Sequence, residues 1–266
     1  MAAGPSASPF TTASAFSFYN KQAYYNKHAS RANDLSIACL NAQSVGNKVT
    51  TISRTIVDHR IDVFVITKTW HENSESTSLK RIVSQDYRCS ARPIPPGAAN
   101  TANFQNHGGL AFVYSDVIKC RKITIMSVST FEYLCGLMST GAGHVVLLGV
   151  YRPGSQALTE AFFDKLSAVL KRLSTYNCPI VVCGDYNVHV DQPEDVNAVR
   201  LKQLLQSFDC RQHVTGPTHV NVHTLDLVIT RTDTDISELR VGAMISDHAL
   251  IRFTLCVKKS SVSSCQ

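Results

Sequence analysis

From Leu35 to Val257 the chain alternates short apolar runs with amphipathic stretches. Most of the runs are short and rich in β-branched residues, which favours buried strands over helices. Leu35–Leu40 and Asp62–Thr67 read as two such strands, with a predicted helix between them that places Val49, Ile52, Ile56 and Val57 on one face. Five strand-like segments follow at Tyr87–Ala91, Gly109–Tyr114, Lys122–Val128, Tyr133–Ser139 and His144–Tyr151. The strongest helical period lies within Leu158–Tyr176, where Phe162, Leu166, Val169, Leu170 and Leu173 form one stripe. Pro179–Cys183 is an apolar strand running into Gly184-Asp185, and a further helix covers about Val196–Phe208. Strands near Leu225–Thr230, Val241–Met244 and Leu250–Val257 close the pattern. Strands that are partly adjacent and partly separated by crossovers predict an α/β fold, two mixed sheets packed face to face with helices outside, in one domain over 34–257.

The two ends keep neither period. Residues 1–33 are rich in Ser, Ala, Thr and Pro, and Tyr19-Asn20-Lys21 is echoed by Tyr25-Asn26-Lys27, so this stretch reads as a disordered leader. Residues 258–266, Lys- and Ser-rich, read as a frayed tail. Composition narrows the class further. With 44% hydrophobic and 17% charged residues the chain can build a core. No apolar run approaches the ~18 residues of a membrane span, and no secretory pattern opens the sequence. Nine cysteines without a Cys-x-x-Cys pair fit reduced thiols in an intracellular protein better than a disulfide framework or a zinc cage. The net charge of +6 is compatible with a polyanionic partner but too small to specify one.

The informative positions are where apolar strands stop. Asn41, Lys68, Tyr151 with Arg152, Asp185 with Asn187, Asp226, and Asp247 with His248 each follow or end such a run. Singly, each is explained by a turn or a cap. Jointly, carboxylates, amides, a phenol and an imidazole at strand ends suit a cleft for hard-cation and phosphate chemistry, because Mg²⁺ takes oxygen ligands and phosphate takes fixed donors.

Five ordered motifs carry a resemblance: Leu40-Asn41-Ala42-Gln43-Ser44, Tyr151-Arg152-Pro153, Gly184-Asp185-Tyr186-Asn187, Thr224-Leu225-Asp226-Leu227 and Ser246-Asp247-His248. In order and spacing they resemble the endonuclease/exonuclease/phosphatase superfamily. Details such as Gly108-Gly109-Leu110 and Pro217-Thr218-His219 look most like the apurinic-type endonuclease domain of metazoan non-LTR (LINE-type) retrotransposons. The resemblance implies a four-layer, deoxyribonuclease I-like α/β sandwich with its site at one edge of the sheets. It further implies that Asp185, helped by Asn187, orients or deprotonates the attacking water, while His248, held by Asp226, polarises the scissile phosphate. Tyr151 would donate to a phosphate oxygen. Asn41 and Asp247 would help carry the metal, and Arg152, Ser246 and Thr218 would meet phosphate or DNA. Lys202 and Arg211 are candidates for the DNA backbone, or equally a solvated face.

One position departs from the family. Its second motif is Thr-Glu-Thr-Trp, with the Glu as principal metal ligand; here Thr67-Lys68-Thr69-Trp70 puts a lysine there. At an effective dielectric of ~20 and ~4 Å each pair of unit charges is worth about 4 kcal/mol, enough for this exchange to weaken the expected Mg²⁺ (or Mn²⁺) cofactor severely. Three readings of Lys68 follow: a copy that no longer cuts, a site whose ammonium itself meets phosphate, or replacement by Glu72. The expected function is therefore a Mg²⁺-dependent DNA endonuclease of retrotransposon origin, weakened or inactive. The alternatives are a nucleic-acid-binding pseudoenzyme and a phosphodiesterase or phosphatase acting on a non-nucleic substrate. DNA is the expected partner, with no membrane and no reverse transcriptase domain in this chain, which is expected to be an intracellular, nuclear monomer. Target preference would depend on loops such as Pro93–Gln105.

Overall fold

The computed structural model describes residues 34–73, 75–83, 85–94 and 108–257. The expected leader 1–33, the tail 258–266 and most of the Pro93–Gln105 loop lie outside the described residues. The strands are β1 (Asp34–Asn41), β2 (Val63–Thr67), β3 (Tyr87–Arg92), β4 (Leu110–Ser115), β5 (Lys119–Lys122), β6 (Glu132–Ser139), β7 (His144–Tyr151), β8 (Ile180–Asp185), β9 (Cys210–Gln212), β10 (Asp226–Arg231), β11 (Ile236–Met244) and β12 (Ala249–Cys256). The helices are α1 (Val49–His59), α2 (Thr77–Ile82), α3 (Glu160–Leu173) and α4 (Val196–Ser207).

The strands form two six-stranded sheets, ordered β11-β12-β1-β2-β4-β3 and β5-β6-β7-β8-β10-β9. Both are mixed. β1 runs parallel to β2 and β7 parallel to β8, and the other pairs are antiparallel. Side chains alternate between faces along a strand, and this period of two divides the core into three layers. Ile37, Cys39, Val65 and Phe112 meet Leu134, Leu147, Val181 and Val228 between the sheets. The alternate residues Ala38, Leu40, Phe64 and Ile66 pack outward on Ile52 and Ile56 of α1 and Leu79 and Ile82 of α2. On the other side Val146, Leu148 and Val182 pack on Phe162, Leu166 and Leu170 of α3 and Leu201 of α4. Helices, sheet, sheet and helices are the four layers expected, and strands buried on both faces explain the near-continuous apolar runs.

Some local expectations are corrected. Val57 is 69% exposed, because the buried stripe of α1 is Val49, Ile52, Thr55 and Ile56 and Val57 turns away from it. β5 lies at Lys119–Lys122, not Lys122–Val128. The expected strand is irregular because the Tyr133 hydroxyl satisfies it instead, accepting from Ile125 N and Met126 N and donating to Met126 O. β11 begins at Ile236, five residues before the expected Val241, and is mostly exposed with two register shifts, so it carried little hydrophobic signal. The short elements α2 and β9 were not expected.

Candidate active site at the rim of the two sheets

Strand register assembles the site. In the second sheet Glu132 pairs with Tyr151, Tyr151 with Asp185 and Asp185 with Asp226, a single row across β6, β7, β8 and β10. In the first sheet Asn41 pairs with Thr67, so Lys68 follows one residue beyond that row. Ser246, Asp247 and His248 immediately precede β12, and His248 forms an isolated antiparallel bridge with His219. All these ends share one rim. Gly184 is required there: its φ is +139°, and a Cβ would lie 2.0 Å from Val150 O.

The polar network crosses between the sheets. Asn41 Nδ2 donates to Asp185 Oδ2 at 2.8 Å, and Asn187 donates its backbone N–H to Asp185 Oδ1 at 3.0 Å and its amide to Oδ2 at 2.8 Å. Asp226 Oδ2 lies 2.6 Å from His248 Nδ1. His248 Nε2 is 3.2 Å from Asn41 Nδ2, a contact that is a hydrogen bond only while that ring nitrogen carries no proton. Ligand atoms of Asp185, Asp226 and His248 all lie within 4.8 Å of one another, as do those of His219, Asp247 and His248. These distances bring the predicted Asn41, Tyr151, Asp185, Asn187, Asp226, Asp247 and His248 to one place.

Electrostatics divides their roles. Burial raises Asp185, and Asp226 raises it further, to about 7, against the opposing His248, Asn187 N–H and Asn41 amide. That suits a proton acceptor near neutrality. Burial alone would lower His248, but Asp226 outweighs it by charge and hydrogen bond, with Asp185 and Asp247 adding to it, and lifts the imidazole to about 9. Tyr151 is pushed well above the ordinary phenol range by burial and by Asp185, and so remains a neutral donor.

Three side chains expected to meet phosphate or DNA are engaged with the protein's own backbone. Arg152 is 3% exposed, and its guanidinium is spent on Tyr186 O, Gln156 O and Asn187 O at 2.7, 2.6 and 2.8 Å. Thr218 is buried, and its hydroxyl accepts from Leu225 N and Asp226 N, fixing the start of β10. Ser246 donates to Asn41 O at 2.6 Å and accepts from His248 N, tying the two strand ends of the first sheet together. These bonds tie the three side chains to the backbone that builds the site. Lys202 on α4 and Arg211 on β9 are exposed, and Glu72 is exposed beyond Trp70.

Three participants were not anticipated. Gln43 Nε2 donates to Asp247 Oδ2 at 2.5 Å. The His219 ring lies edge-on to His248 at 4.8 Å, with Nε2 3.8 Å from Asp247. Glu132 Oε2 accepts from Gly109 N at 2.9 Å, in a space that a Cβ on Gly108 would fill. Gln43 and His219 stood inside quoted motifs. Glu132 gave no signal, because it begins a strand with no motif around it.

The fold is that of the endonuclease/exonuclease/phosphatase superfamily. Residues 145–252 match the family described as Endonuclease-reverse transcriptase. Among solved structures, the endonuclease domain of TRAS1, a telomere-specific non-LTR retrotransposon, is similar with TM-score 0.65 and 14% identity, covering 85% of this chain and 100% of that one. The AP endonuclease of Leishmania major gives 0.64 and 11%, covering 85% and 89%. A mannosyl-6-phosphatase of Bacteroides thetaiotaomicron gives 0.59 and 12%, covering 83% and 99%. No curated protein matches the sequence significantly.

The superfamily implies a divalent metal, and the donor set here does not fit a firmly held one. A Mg²⁺-like ion wants several oxygens, carboxylates foremost. One residue beyond Thr67, the strand partner of Asn41, stands the half-buried Lys68. Asn41 Oδ1 already accepts from Gln43 N, and the Asp185 oxygens accept from Asn41 and Asn187. Two carboxylate oxygens, Asp226 Oδ1 and Asp247 Oδ1, stay without a hydrogen-bond partner among the described residues, while the other oxygen of Asp247 is held by Gln43 and that of Asp226 lies against His248.

Proposed function

We propose that this chain is a DNA phosphodiester-binding domain of the retrotransposon endonuclease type whose acid–base groups are in place and whose cation position is disabled by Lys68. The observation that carries the reading is the buried row of Tyr151, Asp185 and Asp226 facing His248 and Asn41 across the sheets. In it, Asp185 accepts the proton of an attacking water, Asn187 and Asn41 orient that carboxylate, and His248 with Tyr151 offers donors to the phosphoryl oxygens. Developing charge on phosphorus then lacks the cation that would stabilise it best, so turnover is slow and binding persists. The cut that a restored cation position would allow nicks one strand and leaves a 3′-hydroxyl. Lys68 is the specific observation that favours binding without turnover as the second reading.

The test is nicking of supercoiled plasmid in Mg²⁺ or Mn²⁺ by the protein, by Lys68→Glu and by Lys68→Glu/His248→Ala. The expected result is little or no nicking by the first, a gain of at least about 100-fold in the second, in line with about 3 kcal/mol of restored cation attraction, and its loss in the third. A folded Lys68→Glu protein that binds the metal and leaves the plasmid intact refutes the proposal.

A further inference from the structure

Away from the rim, positive charge is gathered on one flank. β3 and β5 are the edge strands of the two sheets, and β3 packs against β6, the neighbour of β5, so both edges lie on the same side. These strands and the adjacent α2 carry Lys80, Arg81, Arg88, Arg92, Lys119, Arg121 and Lys122, against Glu75, Asp86 and Asp116. The described residues contain 21 Lys and Arg and 20 Asp and Glu. Outside this flank, 14 cations therefore face 17 acids, so the surface is divided rather than merely basic.

The flank's donors are largely uncommitted. Lys80 pairs with Glu75, Arg92 lies over the Tyr133 ring and donates to Tyr133 O, and Lys122 Nζ donates to Ala91 O at 2.6 Å. Arg88, Lys119 and Arg121 are exposed and form no ion pair among the described residues. From Arg88 to Arg92 the edge spans about 13 Å at strand rise. Between α2 and β3 a cleft of about 470 Å³ is lined by Lys80, Lys122, Ser90 and Cys89. The flank is also continuous with the rim. Lys122 is close enough to His71 to disfavour its charged form, and His71 lies 2.6 Å from Thr69 Oγ1, one residue from Lys68.

We infer that this flank is a second contact surface for the sugar–phosphate backbone of DNA, engaging the duplex beyond the phosphate held at the rim. The inference rests on the reading of the rim as a phosphodiester site. Charge complementarity and continuity with Lys68 select nucleic acid as the occupant; separate cations at an open edge track a backbone without reading bases.

The experiment measures binding of two duplexes across a salt series, using the full chain and the variant Arg88→Ser/Lys119→Ser/Arg121→Ser. One duplex of roughly 8 bp covers the rim alone, and one of roughly 30 bp, at 3.4 Å per pair, extends past it. Circular dichroism confirms folding of the variant, whose changed side chains are all exposed. The expected result is a log–log salt slope for the long duplex that is smaller by about 2 to 3 in the variant, since each phosphate contact contributes about 0.9. The short duplex should bind equally to both proteins. An unchanged long-duplex slope overturns the inference while leaving the rim reading intact. Failure of both proteins to bind the short duplex refutes the rim reading, and with it the inference that rests on it. Tighter retention on phosphatidylserine vesicles than on DNA, abolished by the same substitutions, overturns nucleic acid in favour of a membrane.

Discussion

Replacing Asp226 by Asn tests the electrostatic account of the site at one atom pair. The carboxylate lies 2.6 Å from His248 Nδ1, with Asp226 1% and His248 4% exposed, so water screens little of the attraction. The amide of Asn can still accept from Nδ1–H, so the exchange removes charge and keeps shape. At an effective dielectric of ~20 a unit pair at ~4 Å is worth about 4 kcal/mol, or about 3 units in the imidazole's titration. His248 starts from about 9, so with burial then opposed only by Asp185 and Asp247 it should titrate near or below its ordinary value of 6.5.

The stability consequence has a definite sign. A folded-state value raised from 6.5 to about 9 gives stabilisation that is full below 6.5 and lost as pH rises through 9. At 1.36 kcal/mol per unit this amounts to about 3 kcal/mol in the parent protein. Denaturant melts at a series of pH values should show that fall in the parent and a nearly flat line in Asp226→Asn across the same window. Carbon-labelled imidazole resonances, with His248→Gln for assignment, read the titration directly. A His248 that still titrates above about 8 in the Asn variant would refute the reasoning, because it would make Asp185 or Asp247 the dominant partner.

Further outcomes follow from the same geometry. Gly184→Ala places a Cβ 2.0 Å from Val150 O at a φ of +139°, so it should cost more than about 4 kcal/mol in urea unfolding and break the β7–β8 row. Arg152→Met should cost about 3 to 5 kcal/mol by leaving three carbonyls without their donor, yet leave the salt slope of DNA binding unchanged; a smaller slope would return Arg152 to the phosphate contacts. His71 is held down to about 4 by burial and then by Lys122, below its ordinary 6.5, so the unfolded chain binds its proton more readily. Stability should therefore fall by about 3 kcal/mol as pH drops from 6.5 to 4, and His71→Gln should remove that part of the acid sensitivity in pH-dependent melts.

Much of this arrangement was legible in the residues, and the reason is particular. The chemistry lies at strand ends, and strands buried on both faces are written as apolar runs whose stops are visible: Ile66 to Lys68, Cys183 to Asp185, Leu225 to Asp226. What failed had no such contrast. The expected strand Lys122–Val128 is apolar enough to pass for one, but beyond Ile123, which still bonds Cys135 of β6, the Ile125 and Met126 backbone groups are met by a tyrosine hydroxyl rather than a neighbouring strand. Arg152 and Thr218 stood out as motif positions, but a motif does not show that each also bonds the protein's own backbone. Glu132 belongs to the row solely through the pairing of β6 with β7, a non-local fact.

On the proposed reading the acid–base groups are kept while the cation ligand is exchanged, and this follows from where each residue sits. Asn41 to Asp185 and Asp226 to His248 are buried bonds that join the two sheets, so removing one partner leaves a desolvated charge and costs stability whether or not the site turns over. Lys68 is half-buried at the rim, on a backbone whose φ is already +54°, and its side chain can change without orphaning a buried group. A chain released from cutting would therefore lose the rim carboxylate early and the relay late. The intact network is thus evidence about the fold's cohesion as much as about chemistry, and on the proposed reading it is the charge at residue 68 that decides between cutting and holding.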